Sequence, residues 1–281
     1  QGNTQENIRN SKGSINMSEY EYSCQEFETA FKKILKISLK SKDFSPVINP
    51  KAYILGGQPG AGKSILNNYI QKINKGNVII INGDEYRKFH PYFTEIVEKY
   101  NIDFPKYTRN FSSQVTEKLI DLLSDEKYNL CIEGTLRTSE VPINTCKLLK
   151  SKEYTVELDI MATKGKISYL STQLRYYKFL SKSMIARATV KEHHDFVLNS
   201  ICDNLNIIYK SQTFDTIKVF NRLLDSVYDG KNKDLPGDVL SNFYNSSYTS
   251  YEIESLKDII YQLSAYTYQD YSEYLKDKED I

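Results

Sequence analysis

Apolar residues recur along the chain in two alternating rhythms, and the alternation predicts a layered strand-and-helix fold. Phe27, Phe31, Ile34, Leu35 and Leu39 fall at helical spacing and predict an amphipathic helix over about Gln25–Lys40. Ser45-Pro46 and Asn49-Pro50 end it and lead into a strand at Ala52–Leu55. Ile65, Leu66, Tyr69, Ile70 and Ile73 then line one face of a helix, and Val78–Ile81 is a fully apolar run suited to a strand covered on both faces. The same alternation continues with a helix at Gln114–Leu123, a strand at Leu130–Ile132 and a helix at Pro142–Lys150. A strand at Val156–Met161 precedes a helix through Leu170, Leu174 and Tyr177, then a long helix from about Val190 to Tyr209 and a strand at Ile217–Phe220. Such an order implies an α/β fold with a central, mostly parallel sheet and helices on both faces.

The flanks read differently. Residues 1–17 are polar and without apolar period, as in a disordered arm or a cloning remnant. Residues 231–250 read as a polar loop. Ile253, Leu256, Ile260, Leu263 and Tyr266 beyond it predict a helix with a tyrosine-rich face. No internal repeat is visible. The expected organisation is therefore one P-loop kinase domain over 18–230, with 231–281 as a C-terminal helical extension packed on it and helical additions at both ends.

Composition narrows the function classes. In 281 residues, 37 Lys and Arg offset 36 Asp and Glu, so no polybasic field announces nucleic acid or a membrane surface. The apolar runs are too short to span a bilayer, and the N-terminus lacks the basic-then-apolar plan of a signal peptide. Cys24, Cys131, Cys146 and Cys202 are widely spaced, which favours reduced thiols over a disulfide frame or a zinc site and suggests a cytoplasmic setting. The 23 tyrosines, with no tryptophan, fit the coding bias of an AT-rich genome without any functional meaning.

The strongest chemical signal is Gly57-Gln58-Pro59-Gly60-Ala61-Gly62-Lys63-Ser64, which satisfies GxxxxGK[ST] between a strand and a helix. Glycines let successive N–H groups face phosphates at a helix N-terminus that already favours anions. Lys63 then reaches the β/γ-phosphates of ATP and the Ser64 hydroxyl ligates Mg²⁺. Asp84 follows the second strand, where it could accept the proton of an attacking hydroxyl or simply cap a helix. Glu133, Thr135 and Arg137 alternate along what reads as an extended segment and would project to one side. Glu133 could also support Mg²⁺ through water, and the stretch could equally be a polar turn. Arg175, Lys178, Lys182, Arg187 and Lys191 form a basic stretch spanning two helices. Beside a phosphate loop its arginines suit a lid over the transferring group; without one it would read as a solvated helix face. His90-Pro91 reads as a turn, and His193 and His194 lie on a helix with no metal-ligand spacing around them.

Ile54-Leu55-Gly56-Gly57-Gln58-Pro59-Gly60, Ile132-Glu133-Gly134-Thr135, Val141-Pro142-Ile143 and Ala186-Arg187-Ala188-Thr189 resemble the zeta toxins of bacterial epsilon–zeta toxin–antitoxin systems. The likeness runs in order from about residue 25 to 230. It implies a kinase that phosphorylates the 3′-hydroxyl of the N-acetylglucosamine unit of UDP-N-acetylglucosamine, starving peptidoglycan synthesis, with a helical epsilon-like antitoxin as inhibitor. By the same resemblance, Asp84 is the catalytic base and Lys63 the P-loop lysine. Glu133, Thr135, Arg137 and Thr145 match sugar-nucleotide contacts, and Arg175 and Arg187 match the arginines on the transferred phosphoryl. Leu136 departs from the pattern, which has a small residue there, and the segment from Arg175 to Arg187 is one residue shorter.

Overall fold

The computed structural model describes residues 20–231 and 234–275, so the arm read at 1–17 lies outside the described residues. The chain opens with α1 (Cys24–Ser38), β1 (Lys51–Gly56), α2 (Lys63–Ile73) and β2 (Ile79–Ile81). Four helices follow: α3 (Gly83–Tyr86), α4 (Phe93–Tyr100), α5 (Phe104–Tyr107) and α6 (Arg109–Asp125). Then come β3 (Leu130–Glu133), α7 (Glu140–Ser151), β4 (Thr155–Met161), α8 (Gly165–Leu180), α9 (Lys191–Ser211), β5 (Thr216–Phe220) and β6 (Ser226–Tyr228). The C-terminal part adds α10 (Pro236–Asn245) and α11 (Ser250–Ser264).

The strands form one sheet in the order β2-β3-β1-β4-β5-β6, parallel through β5, with β6 antiparallel at the edge. Central β1 is buried from Ala52 to Gly56, as its unbroken apolar run requires between two covered faces. Ala52 and Ile54 share one core with Ile79, Ile81, Leu130, Ile132, Val156 and Leu158. Tyr53 and Leu55 turn to the other face and pack with Leu66 and Ile70 of α2. Helix α1 starts in a reciprocal cap between Ser23 and Glu26 and buries Ala30, Phe31 and Ile34. This parallel arrangement brings the carboxyl ends of β1, β2 and β3 to one edge, where ligands of open α/β sheets gather.

One expectation fails at the C-terminal side, and one strand has no counterpart in the sequence reading. Residues 236–245, read within a polar loop, form α10. Pro236 and Gly237, taken for loop residues, have positional roles instead. Pro236 sits in the first turn, where its missing N–H costs nothing. A Cβ on Gly237 would overlap the Cys202 carbonyl of α9, so the close approach of α10 to α9 needs glycine. Strand β6 is also absent from the sequence reading; three residues pairing at an edge give too short a pattern to detect. Helix α11 packs on α8, with Leu256, Ile259 and Leu263 against Ile167, Leu170 and Leu174. No described helix is long and apolar enough to cross a membrane.

Candidate active site

The loop between β1 and α2 has the backbone that its glycines predict. Gly60 adopts φ +76° and lies so close to α8 that a Cβ would overlap the Ser168 carbonyl. Gly62 is the N-cap of α2 at φ +102°, and no side chain caps the helix, so its first amides remain open to an anion. Lys63 Nζ donates to the Gly57 carbonyl at 2.7 Å. Burial lowers the Lys63 pKa to about 8, opposed by Glu133 and reinforced by Arg175. Ser64 is exposed in the first turn of α2.

The loop is braced from behind by contacts that no sequence motif announces. Buried Gln58 donates from Nε2 to the Thr163 carbonyl at 2.6 Å and to Ser168 Oγ at 3.1 Å, and its Oε1 accepts from the Tyr244 hydroxyl at 3.2 Å. Arg222, on the turn after β5, donates to the Gly60 carbonyl at 2.5 Å and the Ala61 carbonyl at 3.1 Å. With these carbonyls engaged, the loop is held in shape before any ligand arrives.

Asp84 stands at the second position of α3, just past β2. It does not cap that helix: the Asn82 side chain does, accepting from the Asp84 N–H at 3.0 Å. The Asp84 carboxylate instead lies between two guanidiniums. Arg87 Nε donates to Oδ1 at 2.9 Å and Arg187 Nη1 donates to Oδ2. Burial would raise its pKa, but Arg187 and Arg87 outweigh that and hold it below the ordinary carboxylate value. Glu133, at the end of β3, accepts from Asn67 Nδ2 of α2 at 2.6 Å, and the Asn67 carbonyl accepts from Cys131 Sγ at 3.2 Å.

The basic stretch divides. Arg175, on α8, makes no hydrogen bond or ion pair among the described residues, and its charge acts on Lys63, Asp84, Glu133 and Arg187. Arg187 does not lie on a helix, as the sequence suggested, but in the irregular segment 184–190 between α8 and α9. Lys178 is spent on Gln262 of α11 at 2.6 Å and Lys191 on Asp195, so both belong to the scaffold. The structure thus joins Lys63, Asp84, Glu133, Arg175 and Arg187 into one charged group at the sheet's carboxyl edge.

The zeta toxin family profile matches residues 36–233. The chain belongs to the zeta toxin family. It is 40% identical over 239 residues to Toxin PezT of Streptococcus pneumoniae, covering 84% of this chain and 94% of that protein. It is 39% identical over 199 residues to Toxin zeta of Streptococcus agalactiae, covering 70% of this chain and 69% of that protein. A solved chain of the S. pneumoniae PezAT chromosomal toxin–antitoxin system superposes with a TM-score of 0.79 at 34% identity, covering 89% of this chain and 98% of that one. A chain of the AvrRxo1-ORF1:AvrRxo1-ORF2 complex solved with ATP shares the fold alone, at TM-score 0.54 and 13% identity over 94% of this chain and 86% of that one.

In this zeta-family chain the substrate-side residues depart from the sequence geometry. Strand β3 ends at Glu133, and Leu136 turns into the left-handed region at φ +54°. The buried Leu136 side chain packs against Gly56, and Asn204 donates to its carbonyl at 2.9 Å. The extended backbone expected through Glu133, Thr135 and Arg137 therefore ends at Glu133. Arg137 is half-buried, its pKa lowered by burial and by Arg109. Burial and then the charges of Arg187 and Arg137, with Arg109 a smaller contributor, also lower the pKa of His193. Thr145 spends its hydroxyl on the Val141 carbonyl at 3.0 Å, one turn back on α7, and no hydrogen bond links it to the Lys63–Asp84 group among the described residues.

Two of the three histidines are structural. His90 closes a 3-10 turn, its Nδ1 accepting from the Tyr92 N–H at 3.1 Å, and burial lowers its pKa to about 4. His194 bonds Ser168 Oγ at 2.8 Å and Asp195 at 3.0 Å. That order imitates a hydrolase triad, but Ser168 is fully buried and its hydroxyl accepts from Gln58, so the chain braces the phosphate loop. All four cysteines are free, with Cys131 and Cys146 buried.

Proposed function

We propose that this protein transfers the γ-phosphate of ATP to the 3′-hydroxyl of the N-acetylglucosamine unit of UDP-N-acetylglucosamine, acting as a toxin that blocks peptidoglycan synthesis. The observation that carries the reading is the Asp84 carboxylate, which does not cap its helix and lies beside Arg187 and within the field of Lys63. A site that only bound nucleotide would have no use for a carboxylate there.

In the reaction, the amides at the start of α2 and the Lys63 ammonium hold the β- and γ-phosphates. The acceptor oxygen bonds to the γ-phosphorus as the bond to the bridging oxygen breaks, and ADP leaves with that electron pair. The acceptor proton passes to Asp84. Arg187 exchanges its carboxylate partner for the transferring phosphoryl, and Arg175 neutralises the same charge from α8. As Arg187 leaves, Asp84 loses one of the neighbouring cations that depress its pKa and becomes a stronger base where one is needed. Mg²⁺ keeps several waters and takes few protein ligands beside nucleotide phosphates. The exposed Ser64 hydroxyl, in the first turn of α2 beside its uncapped amides, is an oxygen donor of the kind this ion takes. Ser64 would hold the ion directly and Glu133 through water, and the ion would supply charge neutralisation on the phosphates.

Positive charge around Arg109 and Arg137 supports an acceptor that is itself a diphosphate, with Glu133, Thr135, Arg137 and Thr145 as its proposed contacts. A helical, epsilon-like antitoxin is the proposed inhibitor, supported by the PezAT system to which the solved relative belongs. The test is purified protein with ATP, Mg²⁺ and UDP-N-acetylglucosamine, followed by phosphorus NMR. A new sugar phosphomonoester and stoichiometric ADP are expected. ADP formation only with a different alcohol, or none with any, contradicts the reading.

A further inference from the structure

Asp84 is gripped by two arginines, and they are built differently. Arg87 begins the 3-10 turn Arg87–Phe89 directly after α3. Its side chain is only 13% exposed. Besides Asp84 Oδ1 at 2.9 Å, it donates from Nη1 to the Pro105 carbonyl at 2.9 Å and to Thr108 Oγ1 at 3.1 Å. Thr108 is fully buried and its hydroxyl donates in turn to the Phe104 carbonyl at 3.1 Å. Arg187 has a single partner among the described residues, Asp84, and sits on an irregular segment with 32% of its side chain exposed.

We infer that Arg87 is the positioning residue for Asp84: it fixes Oδ1 so that Oδ2 alone is presented to the acceptor hydroxyl. The inference rests on the reading of Asp84 as the base. A planar guanidinium anchored at Nη1 has its Nε direction set by the same plane. The carboxylate bonded to Nε therefore inherits the rigidity of α5 and α6 rather than that of a four-residue helix. Holding a reacting group in one orientation removes an entropic part of the barrier. Arg87 also lowers the Asp84 pKa, a cost in basicity that fixed geometry has to offset. The plain alternative is that Arg87 only ties α3 to α5 and α6.

The two are separable with Arg87→Lys, which keeps the charge but loses the fork, and Arg87→Gln, which loses both. For Arg87→Lys, kcat should fall about 10-fold or more with the KM for ATP unchanged and the acidic limb of the pH–rate profile in place. For Arg87→Gln the same loss should come with an acidic limb moved to higher pH, because the Asp84 pKa rises when a neighbouring cation goes. A lower melting temperature with unchanged kcat per folded molecule and an unchanged profile overturns the inference. Should either variant fail to fold, Thr108→Val removes one anchor without touching Asp84. It should lower kcat about 2–5-fold at constant ATP KM, and wild-type kcat contradicts the proposal. Asp84→Asn measured in parallel separates the two levels. Full activity there rejects the base itself, whereas an inactive Asp84→Asn beside normal Arg87 variants rejects only the role of Arg87.

Discussion

Arg187 pairs with Asp84 Oδ2 across 103 positions of sequence, so in this structure the proposed base and an arginine proposed for the transferred phosphoryl neutralise each other. The pair predicts an ordered exchange: phosphoryl arrival draws Arg187 away and frees the carboxylate. Arg187→Ala should cut kcat by about 10²-fold or more while ATP affinity changes little, because the lost interaction forms mainly in the transition state. Arg175→Ala should act in the same sense. Since Arg187 lowers the Asp84 pKa, its removal should also move the acidic limb of the rate profile upward in pH. Equal losses in ATP affinity with kcat intact would make both arginines ground-state binders.

Lys63 gives a prediction on the alkaline side. Burial brings its pKa to about 8 before ligand binds. The value of kcat/KM for ATP reports the free enzyme, so it should fall as pH rises through that value and Lys63 loses its charge. Lys63→Ala should abolish transfer at every pH. Near-wild-type turnover of that variant at saturating ATP would remove the phosphate-binding assignment.

The brace behind the loop is testable through the C-terminal extension. Tyr244→Phe deletes only the hydroxyl that donates to Gln58. ATP should bind about 2–5-fold more weakly, the cost of one neutral hydrogen bond, with the melting temperature nearly unchanged. Unchanged ATP affinity would show that α10 does not steady the loop.

Asp159 links the same core to pH. It lies on β4 between Leu55 and Lys218, fully buried, and neither carboxyl oxygen has a hydrogen-bond partner among the described residues. Burial, then the neighbouring Glu157, raises its pKa well above the carboxylate range. The folded state therefore holds a proton that the unfolded state releases near pH ~4. Stability is full below that pH and declines as pH rises toward the raised folded value. Asp159→Asn should remove the decline, so its melting temperature should gain on the wild type steadily from pH 5 to pH 8. A gap independent of pH would contradict the buried, protonated carboxyl.

Much of this was legible in the sequence for a physical reason. Runs such as Ile79–Ile81 and the glycine spacing of 57–64 are local patterns, and local patterns dictate strands and a phosphate loop. What stayed hidden depends on distant or exceptional contacts. Arg222 reaches the loop from 162 positions away from Gly60, and Arg87 reaches Pro105 and Thr108 through a turn with no periodic signal. Leu136 breaks the expected alternation because its side chain fills a gap beside Gly56 that only the folded core defines. Helix α10 was masked because proline and glycine usually punctuate loops, whereas here one starts the helix and the other admits α9.

The central claim is Asp84 as the base, and Asp84→Asn followed by phosphorus NMR with ATP and UDP-N-acetylglucosamine tests it most directly. Asn82 makes the cap of α3, so the substitution leaves that helix its cap while abolishing proton acceptance. The expected result is a folded protein that binds ATP normally and transfers phosphate about 10²–10⁴-fold more slowly. A folded, ATP-binding Asp84→Asn protein that phosphorylates the sugar nucleotide at the wild-type rate would contradict the mechanism.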